Sequence, residues 1–190
     1  MPIDPNRETW KPGMPWEPAI DDMSYIRGLA QELGGPERVK RQHDGGRYTV
    51  RERIDKMVDP GSFFEAGPLV GAVEYDENGN LSEFTPGAYV MGLAEIDGRP
   101  IAIGGDDFTI SGGSPHNVHK GSRQFTQPLA ISYGLPYVQL VEGVGHSSKS
   151  DEAAGHMGLP SGEQWWQQME LMRRVPVAAG IMGSVAGAPA

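Results

Sequence analysis

Tyr137-Val138-Gln139-Leu140-Val141-Glu142-Gly143-Val144-Gly145-His146 is the stretch whose reading decides the fold. Tyr137 to Val141 is a near-continuous apolar run, the pattern of a buried strand, which a short buried helix shares. Glu142-Gly143-Val144-Gly145-His146 then breaks it. A strand that ends in glycines brings bare backbone N–H groups to the edge of a sheet, where an open α/β sheet holds its ligand. Two such groups can also stabilise a carbonyl oxygen as it becomes negative. The loop therefore reads as half of an oxyanion hole or as an ordinary strand-to-loop turn, since a G-x-G spacing is weak by itself.

The flanks repeat the theme. Upstream, Tyr89 to Ala94 and Arg99 to Gly104 read as two strands joined at Asp97-Gly98, a strong hairpin signal. The second of them runs on into Gly104-Gly105-Asp106-Asp107-Phe108-Thr109-Ile110-Ser111-Gly112-Gly113-Ser114. Residues 115–133 read as a crossover helix with Pro128 interrupting it, and Gly134-Leu135-Pro136 leads into the central strand. Downstream, His146 to Glu163 reads as a long polar loop. Glu163 to Arg173 reads as a helix whose Trp165, Trp166, Met169 and Met172 form an apolar side, expected in the core. Val175 to Met182 reads as a third strand, ending in Gly183-Ser184-Val185-Ala186-Gly187. Strands alternating with crossover helices make an α/β chain.

Toward the N-terminus the signals are more local. Pro2, Pro5, Pro12, Pro15 and Pro18 predict an extended arm over residues 1–20, with Trp10 and Trp16 packing it on the body or on another subunit. Asp21 to Leu33 reads as a helix stopped by Gly34-Gly35. Arg38, Lys40, Arg41, His43 and Arg47 read as a solvated basic loop or as a phosphate-binding patch. Thr49 caps the next helix with Glu52 at its third position, a capping box, and Asp59-Pro60-Gly61-Ser62 turns out of it. Residues 66–87 carry little pattern.

Composition bounds the function. The 190 residues include 27 glycines, where average usage gives roughly 13. A net charge of −9 argues against general nucleic-acid binding. The absence of cysteine excludes disulfides, thiolate zinc sites and a cysteine nucleophile, and fits a reducing cytoplasm. No apolar run reaches the ~20 residues of a membrane helix, and the N-terminus lacks a signal-peptide apolar region.

Five ordered motifs then carry a resemblance. They are Arg47-Tyr48-Thr49-Val50-Arg51-Glu52-Arg53-Ile54, Asp59-Pro60-Gly61-Ser62-Phe63-Phe64-Glu65, Ile96-Asp97-Gly98-Arg99-Pro100, Asp107-Phe108-Thr109, and Gly112-Gly113-Ser114. Gly134-Leu135-Pro136 and Gly183-Ser184-Val185-Ala186-Gly187 extend the match over roughly residues 35–190. The chain resembles the N-terminal half of the biotin-dependent acyl-CoA carboxyltransferases, the β subunits of propionyl-CoA-type and acetyl-CoA-type carboxylases.

The resemblance implies an incomplete crotonase-like ββα spiral: an arm and helix over 1–34, then a CoA-binding carboxyltransferase N-terminal domain over 35–190. It implies transfer of a carboxyl group from carboxybiotin, carried on a partner protein, to the α-carbon of an acyl-CoA. The expected partners are biotin carboxylase with its biotin carrier protein, and a chain supplying the C-terminal, biotin-binding half, in a homo- or hetero-oligomer. The chain is expected to be inactive alone. The backbone N–H groups of Val144 and Gly145 are the oxyanion-hole candidates. Gly112, Gly113, Ser114, Gly183 and Gly187 are candidates for shaping the CoA site, and Arg41 and Arg47, with Arg38 and Lys40, for its phosphates.

Two departures stand out. Val144-Gly145-His146-Ser147 replaces the family's double glycine with its following alanine-arginine, and Ser122 replaces a common lysine. They keep open a non-catalytic assembly subunit, or an acyl-CoA decarboxylase or isomerase on the same fold. His116, His119, His146, Asp151 and His156 offer a metal-site reading against plain surface histidines. Ser147 or Ser148 with His146 and Asp151 resembles a triad in composition only, without a G-x-S-x-G elbow.

Overall fold

The computed structural model describes residues 9–114, 121–144 and 162–186, with the backbone alone for 121–124, 144 and 162–164. Its elements in chain order are α1 (Trp16–Gln31), α2 (Pro36–Asp44), α3 (Val50–Met57), β1 (Phe64–Glu65), β2 (Gly71–Tyr75), β3 (Leu81–Pro86), β4 (Tyr89–Ile96) and β5 (Arg99–Asp106). A 3-10 turn (Ser111–Gly113), α4 (Gly121–Tyr133), β6 (Tyr137–Val144), α5 (Gly162–Arg174) and β7 (Val177–Ala186) follow. Five strands form one sheet in the order β1-β4-β5-β6-β7, and β2 and β3 form a separate hairpin.

β4 and β5 run antiparallel through Asp97-Gly98, whose φ values of 51° and 70° fit the twist of a tight hairpin. Asp59 clamps that turn by accepting hydrogen bonds from the N–H groups of Asp97 (3.0 Å) and Gly98 (2.7 Å). β5, β6 and β7 are parallel, and α4 and α5 supply the crossovers. Strand alternation divides the core. Ile101, Ile103 and Leu140 face Val50 and Ile54 of α3, whereas Ala102 and Tyr137 face Ala130 of α4 and Leu171 of α5. The sheet thus lies between α3 on one side and α4 with α5 on the other.

Several boundaries differ from the sequence reading. The basic run is helical: Pro36 opens α2 after Gly35 at φ 92°, and Val39 packs toward the core. α1 begins at Trp16, so the extended arm is shorter than expected. It does pack on the body: Trp10 stacks on Trp16 at 5.7 Å, its N–H donates to Asp22, and Thr9 Oγ1 accepts from Leu81 N–H at 2.8 Å. The patternless 66–87 region holds the β2–β3 hairpin, turned where Asp76 accepts from the N–H groups of Asn78 and Asn80.

β6 and β7 continue through their glycines, because pairing between neighbours carries them on: Gly143 lies opposite Val185 and Val144 opposite Ala186. On α5, Leu171 is buried, while Trp165, Trp166, Met169 and Met172 are exposed, so the expected core stripe faces outward.

The Thr49 capping box is complete. Its hydroxyl accepts from Glu52 N–H, and the Glu52 carboxylate accepts from Thr49 N–H at 2.7 Å. Thr49→Ala should cost about 1 kcal/mol and lower the melting temperature by about 2–4 °C, as scanning calorimetry would read.

Candidate functional site at the strand ends

The parallel strands β5, β6 and β7 end on one side of the sheet, where such folds hold ligands. Glu142, near the end of β6, is the centre of this region. It follows Leu140 by two residues and so faces the same side as α3. Only 1% of Glu142 is exposed. Its carboxylate accepts from Arg53 Nη1 at 2.5 Å, Arg47 Nη1 at 3.2 Å and Gln42 Nε2 at 3.2 Å. A buried carboxylate needs such partners, because desolvation otherwise costs several kcal/mol. Glu142 N–H donates to Asp106 at the end of β5 (3.3 Å). Along a strand successive N–H groups alternate sides, so the Val144 N–H is directed to the same side as that of Glu142, away from β7.

Three glycines make close approaches here. A Cβ on Gly113 would stand 2.5 Å from the Glu142 carbonyl oxygen and 3.0 Å from Gly143 Cα. A Cβ on Gly183 would overlap the Glu142 carboxylate. Gly143 in turn lies against Gly113, with 3.1 Å between its ideal Cβ position and the Gly113 carbonyl oxygen. The register explains the room at Gly183. Val141 pairs with Ile181 and Gly143 with Val185, so β7 carries extra residues opposite Glu142, a bulge that makes space for the side chain.

Asp107 is fully buried beside this cluster. Its Oδ1 accepts from Thr109 N–H (2.9 Å) and Oγ1 (2.6 Å), while Oδ2 has no hydrogen-bond partner among the described residues. Burial pushes its carboxyl above the ordinary value of 3.8. The Thr109 bonds and the Arg51 charge pull the other way, and the Glu142 charge adds to the rise. The native state thus favours the protonated acid. That stabilisation is complete below the unfolded value and is lost as pH rises through the folded one. Asp107→Asn should remove this slope, seen as a flatter melting temperature as pH rises above the ordinary carboxyl value of 3.8.

An open cavity of about 380 Å³ adjoins Glu142 on the α3 side, lined by Gly46, Arg47, Tyr48, Arg53, Lys56, Met57 and Met182. Lys56 Nζ lies 4.6 Å from the centre of the Tyr48 ring, and the Arg47 guanidinium lies 5.0 Å over Phe108. Arg53 and Arg47 are paired with Glu142, so Lys56 and the exposed part of Arg47 are the charges that, beside an apolar wall, can receive an anionic ligand with a hydrophobic part.

Of the residues singled out in the sequence, Gly113, Gly183 and Arg47 meet around Glu142, and Gly112 and Ser114 flank Gly113. The Val144 backbone ends β6 beside them. Arg41 and Arg38 are exposed on α2, outside the cavity lining, and Lys40 pairs with Asp44. Gly145, Gly187, Ser147, Ser148 and the candidate metal ligands His116, His119, His146, Asp151 and His156 lie outside the described residues. Sequence reading missed Glu142, Arg53, Gln42 and Asp107. A glutamate inside an otherwise apolar run, with an arginine-rich helix elsewhere in the chain, was the available signal.

The motifs of the resemblance prove largely structural. Asp59 clamps the hairpin, Glu65 takes a two-pronged ion pair from Arg51 (2.9 and 2.8 Å), and Thr109 Oγ1 accepts from Gly34 N–H at 2.8 Å. Among the described residues no helix is long and apolar enough to cross a membrane.

Comparison with known proteins agrees with this architecture. The chain is 30% identical over 174 residues to the propionyl-CoA carboxylase carboxyltransferase subunit of Haloferax mediterranei, covering 92% of this chain and 33% of that protein. It is 31% identical over 156 residues to the methylmalonyl-CoA decarboxylase subunit alpha of Veillonella parvula, covering 81% of this chain and 30% of that one. Among solved structures, the transcarboxylase 12S hexamer with methylmalonyl-CoA and methylmalonic acid bound superposes with a TM-score of 0.73 at 24% identity, over 95% of this chain and 34% of that one. The chain spans about a third of the length of these proteins. The fold is that of carboxyltransferases, crotonase-like and represented in part. Residues 41–190 match the carboxyl transferase domain, and the chain belongs to that family.

Proposed function

We propose that this chain is the acyl-CoA-holding part of a biotin-dependent carboxyltransferase. It acts in the cytoplasm with a partner chain that supplies the biotin-binding half. The observation that carries the reading is the junction of two features at the strand ends. Close-approaching backbone at Gly113, Gly143 and Gly183 packs around Glu142, beside a cavity bearing Lys56 and the exposed part of Arg47. The first suits a thioester whose oxygen gains charge, and the second suits the phosphates of CoA. The family match and the relatives named for propionyl-CoA and methylmalonyl-CoA support the substrate class.

In this reading the N–H groups of Val144 and Gly145 receive the thioester oxygen as negative charge builds on it. Gly112, Gly113, Ser114, Gly183 and Gly187 shape the wall, and Arg47 and Arg41 meet phosphate. Carboxybiotin on its carrier supplies the carboxyl group when bound. The residues of this chain supply charge stabilisation and orientation, which need no thiol or metal.

Isothermal titration with acetyl-CoA and propionyl-CoA tests the reading. Saturable binding is expected, and replacing Lys56, on the cavity wall, by alanine should weaken it by about tenfold, the worth of one charge-assisted hydrogen bond. Absence of binding by either thioester would overturn it. The 31% identical methylmalonyl-CoA decarboxylase subunit favours a second reading, decarboxylation at the same enolate-stabilising site. Supplying carboxybiotinylated carrier and a biotin-half partner separates the two: net carboxylation of propionyl-CoA marks the transferase, and net loss from methylmalonyl-CoA marks the decarboxylase.

A further inference from the structure

Glu142 has a geometry that filling a core would not require. It is the last side chain before Gly143-Val144, and its carboxylate is met from one side by Arg53, Arg47 and Gln42. On the other side it fills the notch at Gly183, where β7 bulges. Its backbone N–H is fixed by Asp106, and its carbonyl oxygen lies against Gly113. One residue thus touches each of the three strand ends, the glycine turn, α2 through Gln42, and α3, which lines the cation-bearing cavity. An apolar residue of the same volume would fill the space but could not recruit two guanidinium groups and an amide.

We infer that Glu142 is a positioning residue: its charge, held by Arg53, Arg47 and Gln42, sets the register of β6 against β7 and thereby aims the backbone amide of Val144. The two arginines divide the work. Arg53 is 8% exposed and bonds at 2.5 Å, so it is the fixed partner. Arg47 is 34% exposed, bonds at 3.2 Å and also lines the cavity. The consequence for catalysis rests on the carboxyltransferase reading above. The positioning itself does not, so the two can fail separately.

Amide hydrogen exchange on the ¹⁵N-labelled chain, without ligand, tests the positioning. In Glu142→Gln the amides of Gly143 and Ala186, which face each other's strand, should exchange about tenfold faster, while those of Val90 to Ala94 in β4 change much less, as local opening requires. Arg53→Lys, which keeps the positive charge, should retain most of the protection that Arg53→Met loses. Gly183→Ala keeps the carboxylate and its charge but displaces them, and should reproduce the local acceleration if Glu142→Gln does not fold. Wild-type exchange at Gly143 and Ala186 in Glu142→Gln or Gly183→Ala would overturn the inference. So would acceleration by one common factor across all strands, which marks a general stabiliser. Titration of the wild-type chain with acetyl-CoA is the separate arm: no binding there removes the carboxyltransferase reading and leaves the exchange result standing.

Discussion

Arg53→Met should lower the stability of the chain by about 3 kcal/mol, the low end of the cost of breaking a buried ion pair from one side. Arg53 lies on α3, is 8% exposed, and places Nη1 2.5 Å from Glu142 Oε2. Methionine keeps most of the volume and the helix propensity, so packing and α3 itself change little. What remains is a carboxylate with 1% exposure and only Arg47 and Gln42 beside it, both at 3.2 Å. These two partners are the reason for expecting the low end of the range. Urea titration would show the loss as a lower midpoint with an unchanged slope. The double variant Arg53→Met, Glu142→Leu should recover most of the loss, because replacing both members of a buried pair by apolar groups is often neutral. Arg41→Met, at an exposed position on the neighbouring helix, should change stability by less than about 0.5 kcal/mol. An effect of Arg53→Met no larger than that would mean that Glu142 is not held by charge, and the account of the strand ends would fall with it.

The chain shows in its letters what is decided locally. Asp97-Gly98 specifies a hairpin because two adjacent positive φ values are needed there and these residues tolerate them. Thr49 and Glu52 specify a helix start because both bonds close within three residues. The apolar run at Tyr137 announces a buried strand because it is covered on both faces. Features decided by distant partners were hidden. Arg38, Lys40 and Arg41 read as loop because α2 offers only Val39 as an apolar contact, too thin a stripe for periodicity to detect. Gly143 and Gly183 read as loop glycines because nothing local reveals that their strands pair onward to Val185 and Val144. Trp165, Trp166, Met169 and Met172 read as core because composition does not say which helix face meets the sheet, and Leu171 does.

The candidate site divides in the same way. Gly112, Gly113, Gly183 and Arg47 were visible as residue types suited to close approach or to anions. Glu142 was in plain view inside the decisive stretch, but its partners Arg47 and Gln42 lie 95 and 100 residues away. Only the folded chain shows that the basic segment and the glutamate belong to one cluster, and hence that part of the supposed phosphate patch is already committed to the protein itself.

Gly113→Ala should cost about 2–5 kcal/mol. Two independent penalties combine. Gly113 sits at φ 72°, where an L side chain costs about 1–2 kcal/mol. The added Cβ would also stand 2.5 Å from the Glu142 carbonyl oxygen and 3.0 Å from Gly143 Cα. Both neighbours are backbone, so neither can rotate aside, and forced overpacking of this kind costs about 1–3 kcal/mol. Gly61→Ala supplies the comparison: its φ is 74°, but no atom lies within 4 Å of the new methyl, so only the first penalty, about 1–2 kcal/mol, applies. Urea midpoints of the two variants therefore separate backbone conformation from close approach. If the turn relieves the clash by moving off β6 instead of destabilising the whole chain, the two midpoints converge. The Gly143 amide would then exchange faster in Gly113→Ala alone, because the turn packs against Gly143 Cα at the end of β6. Equal midpoints together with unchanged exchange at Gly143 would mean that the Ser111–Gly113 turn does not press on the end of β6, and the wall proposed for the thioester would have to be built from other residues.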